Sequence, residues 1–168
     1  MNEVSADDLQ TIEQQLGRKA RDVHAISYRC PCSEPAVVAT PPRLSDGTPF
    51  PTFFYATCNR LTGAISTLES SGLMAAMNER LSADADLAAA YSAAHISYIA
   101  ARSALGIEVA EIEGISAGGM PERVKCLHSL VAHSLSVGPG VNPLGDEALA
   151  QLPQWWMDEP CSAQVPCE

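Results

Sequence analysis

A cysteine and two histidines, Cys126, His128 and His133, lie close together in the chain. Thiolate and imidazole groups bind zinc, and imidazole also transfers protons near neutral pH. These side chains follow two glycines and two cations in the stretch from Ser116 to Ser136, which reads SAGGMPERVKCLHSLVAHSLS. This stretch is therefore the first candidate for a functional site, with Cys126 for metal binding and His128 and His133 for proton transfer.

The stretch predicts a helix over roughly residues 121–137. Gly118 and Gly119 can adopt backbone angles closed to other residues, and Pro121 suits the first position of a helix. Apolar residues then recur at helical spacing, and Gly138 with Pro139 ends the pattern. The apolar positions are Val124, Leu127, Leu130, Val131 and Leu135.

Arg123 and Lys125 would lie in the first turns of this helix. The free amides and the macrodipole already make that environment positive, so cations there are unfavourable without a bound anion. A phosphate, a carboxylate or an acidic side chain of the same chain, such as Glu122, can supply the negative charge. The pattern predicts an anion site at Gly118, Gly119, Arg123 and Lys125, and two solvated charges are the alternative interpretation.

Helical geometry limits how the three chemical groups can cooperate. In one helix Cys126 and His128 point about 200° apart, and His133 lies about 10 Å along the axis from Cys126. A single ion is therefore expected to take one ligand from this helix, Cys126, and the others from elsewhere in the chain.

Three upstream cysteines can supply those ligands. Cys30 and Cys32 would face the same way in extended backbone, and Cys58 follows the apolar strand TFFYAT. Together with Cys126 they would form a closed four-thiolate site of the kind that holds structural zinc or an iron–sulfur cluster. A histidine of the predicted helix can replace one thiol. Burial as small apolar residues is the alternative interpretation.

A second helix, predicted over about residues 84–105, carries His95 and Arg102 at the edge of its apolar stripe. The two side chains can complete a pocket, although an amphipathic helix edge explains them as well. We include His95 among the candidates for catalysis and Arg102 among the anion-binding residues.

The remaining pattern predicts one α+β domain over residues 1–160, with a small, mostly antiparallel sheet packed against several helices. Strands are predicted near residues 23–29, 36–40, 52–57 and 107–113. Further helices are predicted from Ser5 to Gly17, from Cys58 through Glu69, from Leu73 to Leu81 and from Leu144 to Trp156. Residues 161–168 are predicted to be a flexible tail, in which Cys161 is a second-rank metal ligand beside Cys167.

Composition excludes several classes of function. The chain has 168 residues, 46% hydrophobic content and a formal net charge of -10. This charge argues against extended contact with nucleic acid or anionic lipid, whereas a small anionic ligand is compatible with it. Apolar runs are too short to span a membrane, and the acidic N-terminus is unlike a secretion signal, so we expect a cytoplasmic protein.

Five segments of the chain carry a family resemblance: RCPC at 29–32, GTPFPTFFYATC at 47–58, AAYSAAH at 89–95, ISAGGMPERVKCLHSLVAH at 115–133, and GPGVNPLGDEAL. Through them the chain resembles domain of unknown function family 501 over residues 10–160. The resemblance implies a cytoplasmic bacterial protein whose gene is often found beside those for a septum-formation initiator and an exopolyphosphatase-like enzyme. The family has no established activity, so it implies no catalytic residue.

These observations predict a metal-stabilised domain that binds a small phosphorylated or carboxylated ligand. Thiolates would hold zinc or an iron–sulfur cluster, and the glycine turn with its cations would hold the anion. An ion with an open coordination position would also activate water, which would make the protein a hydrolase.

Two other functions stay open. One is a non-enzymatic interaction module in cell division or envelope growth, with a protein partner, which the gene neighbourhood suggests without support from a heptad repeat or membrane helix. The other makes Cys126 a nucleophile beside a histidine base, which requires a lowered thiol pKa. A position deep in the predicted helix disfavours this last function.

Overall fold

The computed structural model describes residues 1–157, which form an α+β fold around one open sheet. The strands are β1 (Ala25–Arg29), β2 (Pro35–Ala39) and β3 (Phe54–Ala56), all antiparallel in the order β1-β2-β3. The ends of each strand lie within two residues of the ends of a predicted strand. The predicted antiparallel sheet and the α+β class are therefore confirmed.

Six α-helices lie in the described part of the chain. They are α1 (Ala6–Leu16), α2 (Asn59–Glu69), α3 (Leu73–Ala83), α4 (Ala85–Ser103), α5 (Leu127–Val137) and α6 (Pro143–Ala150). No helix in residues 1–157 is long and apolar enough to cross a membrane. The predicted tail, with Cys161 and Cys167, lies outside the described residues.

Both faces of the sheet are covered, which explains why every residue of β2 is buried. Successive side chains of a strand point to opposite faces. Val37 accordingly packs in the main core with α5, and Val38 packs in a smaller cluster with Ile12 of α1. Helix α5 contacts all three strands and also α6. It is therefore the central helix of the molecule, with His128 in its first turn and His133 near its middle.

The strand predicted at 107–113 does not form. This segment contains a short 3₁₀ helix, Ala110–Ile112, and the Ile112 carbonyl accepts a hydrogen bond from the Arg102 guanidinium at 3.0 Å. Arg102 also donates to the Pro51 carbonyl at 3.1 Å. A buried side chain, rather than a neighbouring strand, thus holds the backbone of this acidic, alternating segment.

The helix predicted over 121–137 begins six residues later, at Leu127. Residues before it form a loop that Asn78 of α3 holds in place, since its amide donates to the Val124 carbonyl at 2.9 Å and accepts from the Val124 amide at 2.8 Å. The backbone groups of Val124 are therefore bonded to another element and not to a helical turn. This shift changes the geometry of the candidate site.

Candidate functional site

Cys126 immediately precedes α5, in extended backbone with φ -154° and ψ 114°. Its side chain makes no regular capping hydrogen bond, but the amide and hydroxyl of Ser129 lie close enough to stabilise negative charge on the sulfur. Because Cys126 lies outside the helix and His128 lies in its first turn, the prediction that they point about 200° apart is wrong. Their side chains meet on one side of the helix start.

Glu69, the last residue of α2, joins these two side chains. Its Oε1 atom accepts a hydrogen bond from the Leu127 amide at 2.7 Å and lies 3.2 Å from Nδ1 of His128. The Cys126 sulfur, a ring nitrogen of His128 and a Glu69 oxygen all lie within 4.8 Å of one another. Glu69 was not recognised from the sequence, because nothing in the local pattern indicates a contact with a segment so distant in the chain.

The other ring nitrogen of His128 determines the protonation state of the imidazole. Nε2 lies 3.3 Å from the Thr62 backbone carbonyl, which accepts hydrogen bonds and cannot donate them. A proton on Nε2 can be donated to this carbonyl or to Oγ of Ser66, which lies 3.4 Å away. Nδ1 faces the Glu69 carboxylate, and two electron-pair acceptors so close together repel unless a positive charge lies between them. A second proton on His128 supplies that charge.

The pKa values agree with an ionised pair. The neighbouring Cys126 sulfur and the Glu69 carboxylate outweigh burial and raise the pKa of His128 to about 9. Burial raises the pKa of the Cys126 thiol, but His128 and the Ser129 amide and hydroxyl together hold this pKa below its ordinary value. These contacts thus lower the cost of forming a thiolate beside an imidazolium, the state in which cysteine is nucleophilic.

This group of side chains opens on a groove of about 460 Å³. Cys126, His128 and Ser129 line one part of the groove, and another part is lined by Asn59 and Thr62 of α2 and by Thr57, which precedes this helix. Residues of β3 form its floor beside them. We call this space the α2–α5 groove. It is large enough for a small molecule and brings the half-buried thiol within reach of one.

The four predicted thiolate ligands are not assembled in the described residues. Cys30 begins a turn in which the Ser33 amide bonds to its carbonyl at 2.8 Å, so the backbone at Cys30 and Cys32 is not extended as predicted. Cys30 and Cys58 are buried in the core, and neither they nor Cys32 belong to the group around Cys126. Binding of zinc or an iron–sulfur cluster stays a prediction.

His133 lies in the core, with no exposed surface. Its ring stacks on Phe54 at 5.7 Å and meets the edge of Tyr98 at 5.1 Å, and Nδ1 lies 3.3 Å from Nδ2 of Asn142. Burial lowers the pKa of His133 to about 4, so the ring is neutral. His133 therefore belongs to the packing of α5 against the sheet, and the groove is not lined by it.

His95 connects α4 to the segment before the glycine turn. Its Nδ1 lies 2.8 Å from Oγ of Ser116, and this hydroxyl donates to the Met120 carbonyl at 3.2 Å. Because the Ser116 proton is used in that bond, Nδ1 of His95 is the donor in the other. A catalytic role for His95 stays a prediction, and its observed contacts are structural.

The glycine turn is packed against its own loop. A Cβ atom at Gly119 would lie 2.6 Å from the Arg123 carbonyl oxygen and 2.9 Å from Cβ of Lys125. The amides of Arg123 and Lys125 donate to the carbonyls of Gly119 and Gly118, at 3.1 and 2.8 Å. The close approach that requires glycine is therefore to the chain itself, and the helix start that follows takes its negative charge from Glu69.

Arg123 and Lys125 have exposed side chains and form no ion pair within residues 1–157. Arg102, the other predicted anion ligand, is 5% exposed, and burial lowers the pKa of its guanidinium. Its hydrogen bonds to backbone carbonyls give it a structural role beside a separate cavity of about 440 Å³. Anion binding by these three residues stays a prediction.

The fold and the site define an α+β protein with a cysteine, a histidine and a glutamate converging at a helix start. The chain belongs to the family described as "Protein of unknown function (DUF501)", whose model matches residues 26–150. This match confirms the family indicated by the sequence segments and covers all three residues. No curated protein and no solved structure matches the chain.

Proposed function

We propose that the protein is a thiol-dependent enzyme in which Cys126 is the nucleophile toward a small electrophilic ligand. The observation that carries this proposal is the convergence of Cys126, His128 and Glu69 within 4.8 Å at the edge of the α2–α5 groove. A thiolate paired with an imidazolium is the nucleophile of many cysteine enzymes. The main objection from the sequence, a thiol deep inside a helix, no longer applies.

Each residue has one role in the proposed reaction. The Cys126 thiolate forms a bond to the electrophilic atom of the ligand, and the imidazolium of His128 gives a proton to the departing group. Water then attacks the covalent intermediate, neutral His128 takes the proton from that water, and the thiolate leaves again. Glu69 is a positioning residue that orients His128 and stabilises its charged form.

A thiolate nucleophile is compatible with a reducing compartment, so we propose a cytoplasmic location, where thiols are kept reduced. Hydrolysis of a small phosphorylated or carboxylated ligand is compatible with the same groove. An interaction role in cell division or envelope growth is the alternative function, for which no contact in the described residues adds support.

Selective alkylation tests the nucleophile. Iodoacetamide in limiting amounts, followed by peptide mass mapping, is expected to label Cys126 about tenfold faster at neutral pH than the same cysteine in the unfolded chain. The rate should reach half its maximum below pH 9, the ordinary pKa of a cysteine thiol. Cys126→Ser should abolish the fast phase, and His128→Asn should move the midpoint to higher pH because the imidazolium is lost.

Glu69 requires a measurement that separates positioning from folding. Glu69→Gln keeps an oxygen for the Leu127 amide but removes the charge, so it should lower the pKa of His128 from about 9 as measured by NMR of the ring. Glu79→Gln, at an exposed position on α3, is the matched control and should not change this pKa.

Two results of the alkylation experiment would contradict the proposed nucleophile. One is uniformly slow labelling of all cysteines, and the other is fast labelling of Cys126 only after a chelator removes a metal.

A further inference from the structure

The start of α2 faces the α2–α5 groove without a cap. Cys58 occupies the capping position in extended backbone and makes no side-chain hydrogen bond to the helix. The first hydrogen bond at this end runs from the Thr62 amide to the Cys58 carbonyl at 2.9 Å, and Asn59 and Thr62 line the groove. The amides before Thr62 and the dipole of this eleven-residue helix therefore produce a positive potential in the groove.

Thr57 supplies an independent indication at the same place. Thr57 is 1% exposed and belongs to the lining of the groove, and its hydroxyl has no hydrogen-bond partner within residues 1–157. Its backbone amide is already used, in a hydrogen bond to the Ala36 carbonyl at 2.9 Å. Buried hydroxyls without a partner are rare in folded proteins, so this donor is expected to meet an acceptor that a ligand brings.

The start of α5, on the other side of the groove, differs in its charge. There the Glu69 carboxylate accepts a hydrogen bond from the Leu127 amide, and the Cys126 sulfur lies beside Ser129. Within residues 1–157 the chain thus provides negative groups of its own at α5, whereas the first turn of α2 contains no acidic residue. A ligand with one electrophilic and one anionic end would match the two sides of the groove.

We infer that the start of α2 and the Thr57 hydroxyl form an anion subsite, and that the ligand attacked by Cys126 carries a carboxylate or phosphate group. This inference rests on the proposed function for the role of Cys126. The formal net charge of -10 opposes long-range attraction of anions, so recognition would depend on these local donors. The subsite also differs from the glycine turn, where the sequence had predicted the anion.

A series of tethered alkylating agents tests the subsite. N-bromoacetyl ω-amino acids of increasing chain length present a carboxylate at a graded distance from the carbon that the thiolate attacks, with bromide as the leaving group. Each is compared with its uncharged carboxamide, and bromoacetamidoalkyl phosphates of the same lengths distinguish phosphate from carboxylate. At one chain length the anionic reagent should label Cys126 at least about tenfold faster than the matching carboxamide. Its labelling rate should also level off at high reagent concentration, as expected when binding precedes the reaction.

Inorganic phosphate gives the corresponding protection experiment. It should slow labelling by the anionic reagent and leave the carboxamide rate nearly constant. Thr57→Val removes the hydroxyl with little change of shape, and it should lower the ratio of anionic to neutral rates at least about fivefold. Thr67→Val is the matched control on α2, since the Thr67 hydroxyl bonds to the Gly63 carbonyl of its own helix at 3.1 Å, and the ratio should not change.

The outcomes separate this inference from the proposed function. In one outcome, neutral reagents label Cys126 rapidly, anionic reagents label it no faster than neutral ones at any chain length, and phosphate gives no protection. The anion subsite is then overturned and the assignment of Cys126 as the nucleophile stands. If no reagent labels Cys126 rapidly, the nucleophile is overturned, and the melting temperature in inorganic phosphate decides on the subsite. A rise in the wild type that Thr57→Val reduces would support it, and equal responses of the two proteins would overturn it.

Discussion

Two histidines on α5, His128 and His133, have opposite pKa shifts because one ring meets negative charge and the other is buried in the core. His128 has a pKa of about 9 beside Cys126 and Glu69, and His133 has a pKa of about 4 between Phe54 and Tyr98. The sequence placed both in one group of candidates, since it contains no sign of these different surroundings.

The two shifts stabilise the fold in different pH ranges. His128, with a raised pKa, contributes stability that is fully present below 6.5 and is lost as the pH rises through about 9. His133, with a lowered pKa, is neutral in both the folded and unfolded states above 6.5. Below 6.5 the unfolded chain binds a proton that the folded protein does not, so stability falls until the pH reaches about 4.

For His133 we expect a loss of about 3 kcal/mol in the free energy of unfolding between pH 6.5 and pH 4, in addition to the losses from other groups. His133→Leu removes this titration and keeps an apolar side chain between the two aromatic rings. Urea unfolding of both proteins across this range should show that the wild type loses about 3 kcal/mol more than the variant as the pH falls. Parallel curves would show that His133 is not held neutral by the fold.

Among the elements, α5 and α6 are packed closely enough to exclude a side chain at one position. A Cβ atom at Gly145 would collide with the Leu130 carbonyl oxygen and the Ser134 hydroxyl. Asn142 supports the same contact, because its Oδ1 atom accepts from the Gly145 amide at 3.0 Å and caps α6. The glycine is therefore needed for distance between helices and not for an unusual backbone angle.

Gly145→Ala is expected to lower the free energy of unfolding by about 1–3 kcal/mol, because the added methyl group forces the helices apart. Gly63→Ala is the matched control, since Gly63 lies in α2 with nothing within 4 Å of its added Cβ. Alanine there should raise stability by up to about 1 kcal/mol through helix propensity. Denaturant titrations of both variants provide the test, and a stabilising Gly145→Ala would disprove the close packing.

At the scale of the whole molecule, one continuous core connects the sheet with α2 to α6. Its buried members include Phe54 of β3, Tyr91 of α4, Leu130 of α5 and Trp155 near the end of the described residues. Helix α1 covers the other face of the sheet through its own smaller cluster and through the ion pair of Asp8 with Arg29, at 2.7 Å. Loss of the packing between any of these elements would therefore expose part of this core.

We expect unfolding to be a single cooperative transition. Tryptophan fluorescence, which reports on Trp155 and its neighbour Trp156, and far-ultraviolet circular dichroism, which reports on the helices, should give the same midpoint in urea. Two separated midpoints would show that the segment after α6 folds independently of the sheet and would contradict the predicted single domain.

The sequence by itself determined the elements and the family. Apolar periodicity predicted three strands and most helices close to their observed positions, because alternation and helical spacing record which side of an element is buried. It also selected Cys126 and His128 as chemical groups. Residues 107–113 alternate apolar and acidic side chains, and this pattern led to the prediction of a strand that does not form. The same alternation is compatible with a loop whose backbone is bonded to Arg102.

Only the tertiary structure decided what these groups can do. Asn78 from α3 delays the start of α5, which places Cys126 outside the helix, and Glu69 from α2 completes the site. The start of α2, where Cys58 makes no capping hydrogen bond, likewise becomes visible only when the groove is formed, as does the Thr57 hydroxyl, which has no partner within residues 1–157. Contacts between residues far apart in the chain depend on how elements pack, and local periodicity contains no information on that packing.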